Sequence, residues 1–132
     1  MNSNRESLGD ERDVRATVQS YVDAWNEPDE TNRRRLLERS WAEAGTYTDP
    51  SVHVEGREAL VHHAGTFGSR WPGARIVVTG GIAQHHEMLL FTWRVAGPDG
   101  ATLREGVDFA EMAEDGRLRR VVGFFDSLPK SP

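Results

Sequence analysis

The fold is decided by the stretch from Met88 to Asp126, which reads MLLFTWRVAGPDGATLREGVDFAEMAEDGRLRRVVGFFD. Alternating apolar residues, interrupted by two groups of turn-forming residues, predict three antiparallel strands. These strands are Met88–Ala96, Ala101–Ala113 and Leu118–Asp126. The first turn is Gly97-Pro98-Asp99-Gly100. The second, Asp115-Gly116, is a strong hairpin signal because both of its residues must tolerate a positive φ.

The Asp115-Gly116 turn fixes a register. A two-residue turn places Glu114 opposite Arg117, and counting back places Asp108 opposite Gly123. Parity puts Val107 and Phe109 with Phe124 and Val122 on one face, and Gly106, Asp108 and Ala110 with Phe125, Gly123 and Val121 on the other. A carboxylate among glycines in mid-strand is unusual, since Asp and Gly are poor strand formers. Parity alone leaves open whether Asp108 faces the interior or solvent.

The composition is that of an ordinary globular domain. The chain has 132 residues, of which 37% are hydrophobic, and its formal net charge is −5. This length suits one domain, and the mild acidity argues against a nucleic-acid or anionic-membrane partner. The absence of cysteine excludes disulfides and thiolate chemistry. No apolar run reaches the roughly 20 residues of a membrane span, and residues 1–10 lack an apolar core of a signal peptide, so a cytoplasmic location is expected.

Three helices are predicted before the strands. They are Glu11–Asn26, Glu30–Ala42 and Arg57–Gly68, with residues 1–10 and 129–132 as tails around a single domain over residues 11–128. Val14, Val18, Tyr21, Val22 and Trp25 form the apolar stripe of the first helix. Asp29 is expected to cap the second, with Leu36, Leu37 and Trp41 facing inward and Arg33, Arg34, Arg35 and Arg39 facing solvent.

A short strand, Thr46–Asp49, and a turn, Ser51–Gly56, are expected between the second and third helices. A longer strand should start at Ala74, pass a bulge at Gly80-Gly81 and end at Gln84 before the turn His85-His86-Glu87. Helices on one side of such a meander define an α+β architecture. The prediction is a curved antiparallel sheet with three helices on its concave face and a conical cavity between the layers.

Several kinds of site lack support in the sequence. The histidines are His53 and the neighbouring pairs His62-His63 and His85-His86. Neighbouring side chains point apart on a helix or strand, so no metal site is expected. Nucleotide-binding glycine motifs and the hydrolase GxSxG motif are absent, and no cofactor is predicted.

Three polar residues stand among apolar ones: Tyr21, Asp49 and Asp108. Each has a simple structural explanation, because a stripe tyrosine is often core and Asp-Pro is a common turn. Together, two carboxyls and a phenol in an apolar cavity suit proton transfer, since burial raises the pKa of a carboxyl toward neutrality.

Four segments of the chain resemble the SnoaL-like, nuclear transport factor 2-like superfamily. They are Val18–Asn26, Thr46–Pro50, Gly106–Phe109 and Gly123–Asp126. The resemblance implies a cone-shaped α+β fold and a homodimer through the outer sheet face, where Leu103, Val107, Phe109, Val122 and Phe124 would form an apolar patch. The superfamily holds isomerases, polyketide cyclases, epoxide hydrolases, dehydratases and non-enzymes, so it implies no single activity.

Within this superfamily, Tyr21, Asp49 and Asp108 are placed as in ketosteroid isomerase. That resemblance implies that Asp49 carries a proton between carbons while Tyr21 and a protonated Asp108 donate hydrogen bonds to a dienolate oxygen. The sequence departs from this pattern because Arg104 and Arg119 are expected on the face of Asp108. A nearby cation would keep Asp108 ionised.

The limonene-type epoxide hydrolases of this superfamily are set aside, because the chain lacks their Asp-Arg-Asp arrangement and with it their water-activating network. The middle aspartate falls at Asp108, whereas Gly106 replaces the arginine and Gly123 replaces the other aspartate. These glycines are expected to enlarge the cavity for a bulky ligand.

The resulting hypothesis is a cofactor-independent acid–base enzyme, an isomerase or polyketide cyclase, acting on a hydrophobic small molecule that carries a carbonyl. A non-catalytic ligand-binding or dimeric interaction domain is the alternative. The expected pocket walls are Trp25, Trp41, Tyr47, Leu60, Phe67, Trp71, Phe91, Trp93, Gly123 and Phe125.

Overall fold

The structure is a computed structural model that describes residues 3–126. The expected tail at residues 129–132 lies outside the described residues, as do Met1 and Asn2. The helices are α1 (Ser3–Asn26), α2 (Glu30–Ser40), α3 (Arg57–Gly65) and α4 (Phe67–Arg70). The strands are β1 (Trp41–Asp49), β2 (Val52–Glu55), β3 (Arg75–His85), β4 (Met88–Ala96), β5 (Thr102–Met112) and β6 (Leu118–Phe125).

The six strands form one sheet in the order β2-β1-β6-β5-β4-β3. The predicted α+β architecture, with the helices packed on a curved sheet, is confirmed. The sheet is antiparallel apart from one pair of strands, since β1 and β6 pair in parallel. The meander starts at β3 on the far edge and brings β6 back beside β1, and turn signals within the meander carry no information about that long-range pairing.

The register predicted for β5 and β6 is confirmed at Asp108, which pairs with Gly123. The turn itself differs from the prediction. Ala113 donates its backbone N–H to the carbonyl of Arg117 at 2.7 Å, so the loop has three residues and Glu114 is not opposite Arg117. Gly116 supplies the positive φ of 87° that such a loop needs. A register shift after Glu111 takes up the extra residue and restores the predicted pairing.

The β3–β4 hairpin contains two predicted irregularities. His86 and Glu87 have φ values of 50° and 62°, which is the conformation of a two-residue hairpin turn. The register shifts between Thr79 and Ala83, around Gly80, whose φ is 79°. A bulge of this kind increases the local twist, and it helps to curve the sheet around the helices.

Several predicted boundaries are displaced. Helix α1 begins at Ser3 rather than Glu11, so residues 3–10 are helical where a tail was expected. The predicted start was too late because the apolar residues at helical spacing begin only at Val14. Asp29 caps α2 as predicted, accepting from the backbone N–H of Asn32 at 3.0 Å. That helix ends at Ser40, because Trp41 is already extended (φ −140°, ψ 131°) and starts β1.

Two further segments differ from the prediction. The expected turn over residues 51–56 contains strand β2, in which apolar Val52 and Val54 alternate with polar residues and pair with β1. The expected third helix over residues 57–68 is divided at Thr66 into α3 and α4. Helix α4 carries Phe67 and Arg70 to the mouth of the cone, as described below.

Arg33 is buried, although it was predicted to face solvent. Its guanidinium donates hydrogen bonds to the backbone carbonyls of Glu27, Pro28 and Val61, at distances of 3.1, 3.1 and 3.2 Å. It therefore ties the α1–α2 connection to α3. A Cβ at Gly65 would lie 2.6 Å from a guanidinium nitrogen of Arg33, so the arginine requires glycine there. Sequence spacing could not separate this residue from the arginines beside it, such as Arg34, which pairs on the surface with Glu58.

The core lies between the helices and the inner face of the sheet. Its largest fully buried side chains are Trp41, Tyr21, Phe91, Leu37, Leu60, Leu89 and Leu118. On the outer face, Phe124 is 55% exposed and Leu103 is 49% exposed, while Val107, Phe109 and Val122 are half-buried. No helix in the described part of the chain is long and apolar enough to cross a bilayer.

We predict that this outer face forms a homodimer, because large exposed apolar side chains on one surface usually mark a contact. Light scattering at micromolar concentration should give twice the chain mass of 14.8 kDa. Phe124→Glu should give the mass of a monomer, since it places an unpaired charge in the apolar contact. Gln84→Glu adds the same charge on exposed β3 and should leave the dimer intact. A monomeric unmodified protein would contradict the prediction.

Candidate active site

One pocket between the helices and the inner face of the sheet collects most of the predicted site residues. The predicted residues that line it are Tyr21, Trp25, Tyr47, Asp49, Phe67, Trp71, Trp93, Asp108 and Phe125. The space that the centre of a water molecule can occupy is small, about 60 Å³. The pocket therefore has the polar groups expected of a site, but room for a small ligand only.

Four predicted wall residues do not line this pocket. Trp41, Leu60 and Phe91 are at most 2% exposed and belong to the core. Gly123 lies beneath the carboxyl of Asp108. Five residues that line the pocket were not among the predicted site residues: Val22, Arg70, Ile76, Val95 and Arg104. Strand parity could have identified Val95, which shares the inner face with Trp93, whereas nothing in the sequence distinguishes Arg70 from other arginines.

Asp108 is 6% exposed and faces the interior, which decides the question that strand parity left open. The indole N–H of Trp93 on the neighbouring strand donates to Oδ1 of Asp108 at 3.0 Å. Trp93 in turn packs edge-on against Phe125, with ring centroids 5.9 Å apart. The carboxyl of Asp108 thus has one neutral hydrogen-bond donor, Trp93, and lies among aromatic rings.

Gly106 and Gly123 do not enlarge the cavity as predicted. A Cβ on Gly106 would lie 2.6 Å from ring atoms of Trp93, and a Cβ on Gly123 would lie 2.9 Å from Oδ1 of Asp108. Both spaces are thus filled, the first by the indole and the second by the carboxyl. The glycines allow these side chains to lie flat on the sheet, and the expectation of room for a bulky ligand is wrong.

Asp49, at the end of β1, accepts three hydrogen bonds. Its Oδ2 accepts from the hydroxyl of Tyr47 at 2.6 Å, and its Oδ1 accepts from the backbone N–H and the hydroxyl of Ser51 at 2.8 and 2.7 Å. A carboxyl that only accepts is suited to the ionised form. Tyr47 and Asp49 are two residues apart on one strand and therefore project to the same side.

The environment of Asp108 favours its neutral form. Burial raises the pKa of Asp108 to about 7, the hydrogen bond from Trp93 lowers it in part, and the charge of Asp49 raises it further. Burial also raises the pKa of Tyr21 well above its ordinary value, with a further contribution from Asp108. Burial, Tyr21 and the bond to Asp49 raise the pKa of Tyr47 as well. At neutral pH the two phenols keep their protons.

The two arginines expected near Asp108 do not hold it ionised. Arg119 is 59% exposed and pairs with Glu111, with 3.6 Å between Nε and Oε1. Arg104 does line the pocket, but its guanidinium lies over the rings of Phe125 and Trp71. Because the pKa of Asp108 is raised rather than lowered, the predicted effect of these cations is wrong.

His63, which was not among the predicted site residues, is a further neighbour of the site. Its ring lies 5.6 Å from that of Trp25 and 5.9 Å from that of Tyr47. Burial lowers the pKa of His63, and the charge of Arg70 lowers it further. The imidazole is therefore neutral near pH 7, and its Nε2 has no hydrogen-bond partner within the described residues.

Comparison with known proteins defines the family. The profile of the SnoaL-like domain matches residues 18–121, which is most of the chain. This chain belongs to the SnoaL-like family. The match supports the resemblance inferred from the sequence and agrees with the cone-shaped fold. No curated protein gives a significant match.

Solved structures of SnoaL-like and related proteins share this fold. A candidate isomerase of the SnoaL-like family from Agrobacterium tumefaciens is 34% identical, with a TM-score of 0.82 over 88% of this chain and 99% of that one. A candidate SnoaL-like polyketide cyclase from Jannaschia is 16% identical, with a TM-score of 0.70 over 88% and 87% of the two chains. An NTF2-like protein of unknown function from Cytophaga hutchinsonii is also 16% identical, with a TM-score of 0.64 over 86% and 89%.

The raised pKa of Asp108 predicts a pH dependence of stability. Its ordinary pKa is 3.8 and its pKa in the folded protein is about 7, so between these values the folded state holds a proton that the unfolded chain has released. This contribution is complete below about pH 4 and is lost as the pH rises to 7. The loss is on the order of 4 kcal/mol. Asp108→Asn stays neutral and keeps an acceptor for Trp93, so it should remove this part of the decline.

Urea denaturation of both proteins between pH 4 and pH 9 measures the effect. Asp99→Asn, the same change in an exposed turn, should keep the full decline with pH. Parallel stability curves for Asp108→Asn and the unmodified protein would show that Asp108 titrates normally.

Proposed function

We propose that the protein is a cofactor-independent acid–base isomerase acting on a small carbonyl compound. The observation that carries the proposal is the contrast between two carboxyls in one pocket. Asp49 accepts three hydrogen bonds, as an ionised carboxylate does, whereas the pKa of Asp108 is raised by burial. Two carboxyls in unlike states provide an acceptor and a donor of protons at the same pH. The candidate isomerase from Agrobacterium tumefaciens, at 34% identity, supports this direction.

In this mechanism Asp49 removes a proton from the carbon next to the substrate carbonyl. In a β,γ-unsaturated carbonyl compound the electron pair moves to the carbonyl oxygen and gives a dienolate, and Asp49 then returns the proton to the far carbon of that dienolate. Tyr21 and neutral Asp108 donate hydrogen bonds to the oxygen on which the charge develops. The net reaction moves one double bond and consumes no other reactant.

The neighbours of each carboxyl fit its role. Trp93 donates to Oδ1 of Asp108, which leaves Oδ2 to carry the acidic proton. Tyr47 and Ser51 fix both oxygens of Asp49, so they position the base rather than react with substrate. These positioning contacts limit the rotation of the carboxylate and hold it on one side of the pocket.

The size of the pocket favours isomerisation over cyclisation. The space open to water centres is only about 60 Å³, which favours a small substrate. An aldol-type cyclisation of a polyketide brings together the ends of a much longer chain. The small space is bounded by aromatic rings, among them Trp25, Trp71 and Phe125, which suit an apolar carbon skeleton.

Asp49→Asn tests the base. The substrate is cyclohex-3-enone, a minimal β,γ-unsaturated ketone whose conversion to cyclohex-2-enone is followed by ultraviolet absorbance. Turnover should fall by about 10²–10⁴-fold, because the amide keeps the shape of the carboxylate but cannot accept the proton. Asp99→Asn, in the exposed β4–β5 turn, is the matched control and should retain full activity. Equal rates for the unmodified protein and Asp49→Asn would contradict the assignment.

Tyr21→Phe tests the donor to the oxygen. One such donor stabilises the transition state by roughly 2.7–4 kcal/mol, so turnover should fall by a corresponding factor of about 10²–10³. The melting temperature separates this role from a structural one. A loss of roughly 1–3 kcal/mol of stability, with unchanged binding of a phenol as an enolate analogue, would favour a non-catalytic ligand-binding domain of the same fold.

A further inference from the structure

The pocket carries two arginines in addition to the groups used in the proposed mechanism. Arg70 and Arg104 both line it, and both are more exposed than the residues at its inner end. Tyr21 and Asp108, by contrast, are 2% and 6% exposed. The pocket is therefore graded, with a buried end that holds neutral hydrogen-bond donors and an accessible rim that is cationic.

Arg104 is held in place by contacts that leave its charge available. Its guanidinium carbon lies 4.6 Å from the ring centroid of Phe125 and 5.6 Å from that of Trp71. Its ion pair with Asp126 is long, at 3.7 Å, and the partner carboxylate is 65% exposed. Stacking uses the faces of a guanidinium, whereas its N–H groups project from the edge and remain able to bind a planar anion.

Arg70 ends the short helix α4 beside Trp71. Its Nε donates to the hydroxyl of Thr66 at 3.1 Å, which fixes the side chain through one nitrogen. The two terminal nitrogens of the guanidinium are not used by that bond. The contact therefore orients Arg70 at the rim without neutralising it, because Thr66 carries no charge.

A permanent carboxylate of a substrate fits the rim of the pocket better than its inner end. At the inner end Asp49 raises the pKa of Asp108 by repulsion, and a further carboxylate would meet the same repulsion. A substrate that carries a carboxylate is therefore expected to place it at the rim. Its neutral carbonyl is then directed inward to the two donors.

We propose that the substrate is a small oxo acid whose carboxylate binds Arg70 and Arg104 while its carbonyl oxygen lies at Tyr21 and Asp108. This inference rests on the proposed function and adds the substrate class. A carboxylate can accept paired N–H groups from a guanidinium, and charge-assisted bonds of that kind are roughly twice as strong as neutral ones. The arginines orient the substrate and take no part in proton transfer.

Calorimetric titration at pH 6 with three probes tests the proposal. The first two are 4-hydroxyphenylacetate and 4-hydroxyphenylacetamide, which share a phenol and differ in charge. The third is phenylacetate, which keeps the carboxylate and lacks the phenol. We expect the unmodified protein to bind 4-hydroxyphenylacetate at least tenfold more tightly than the amide. Arg104→Gln and Arg70→Gln should each reduce that preference several-fold and change affinity for the amide by less than twofold.

Arg75→Gln is the matched control, since Arg75 is exposed on β3 and does not line the pocket, and it should keep the full preference. Equal affinities for acid and amide, or a preference that survives both arginine changes, would overturn the inference, as would no binding of 4-hydroxyphenylacetate. Failure of the proposed function gives a different result: phenylacetate would bind as tightly as 4-hydroxyphenylacetate while the preference for acid over amide remained.

Discussion

The burial of one carboxyl, that of Asp108, is the constraint on which the rest of the site depends. A carboxyl inside a sheet requires space, a hydrogen-bond partner and shielding from water. Gly123 on β6 provides the space, Trp93 on β4 provides the N–H, and Phe125 packs against the indole. Because these contributions come from β4 and β6, the two strands that flank β5, the acid is fixed by the register of the sheet rather than by a flexible loop.

The parallel pairing of β1 with β6 brings the carboxyl of Asp49 level with Gly123 and Asp108 across the sheet. Thr48 pairs with Val122, so Asp49 lies beside Gly123, which in turn pairs with Asp108. A glycine thus stands between the two aspartates, and a Cβ there would lie 3.6 Å from that of Asp49. The two identical side chains have different surroundings, because one ends its strand next to the donors of Ser51, while the other is enclosed by aromatic rings.

The sequence predicted the parts of the site that depend on local periodicity. The pairing of Asp108 with Gly123 was correct even though the turn was not, because a bulge offset the longer loop. Side-chain packing was beyond that reasoning. Glycine at positions 106 and 123 suggested empty space, but a side chain from the neighbouring strand fills each position. Trp93 covers Gly106, and the carboxyl of Asp108 covers Gly123. Arg33 and Arg70 were likewise indistinguishable from surface arginines, since their roles come from contacts with distant segments.

The contact between Gly106 and Trp93 has a consequence for evolution within the fold. No side chain fits at position 106 while the indole covers it, because even a Cβ would overlap the ring. In the Asp-Arg-Asp arrangement that the sequence analysis set aside, an arginine would stand at the position of Gly106. An arginine at position 106 and an indole from position 93 exclude each other. Replacing Gly106 alone would create a clash with Trp93, and replacing Trp93 alone would leave a cavity. We therefore expect positions 93 and 106 to covary among relatives, so that the pair distinguishes lineages committed to different reactions.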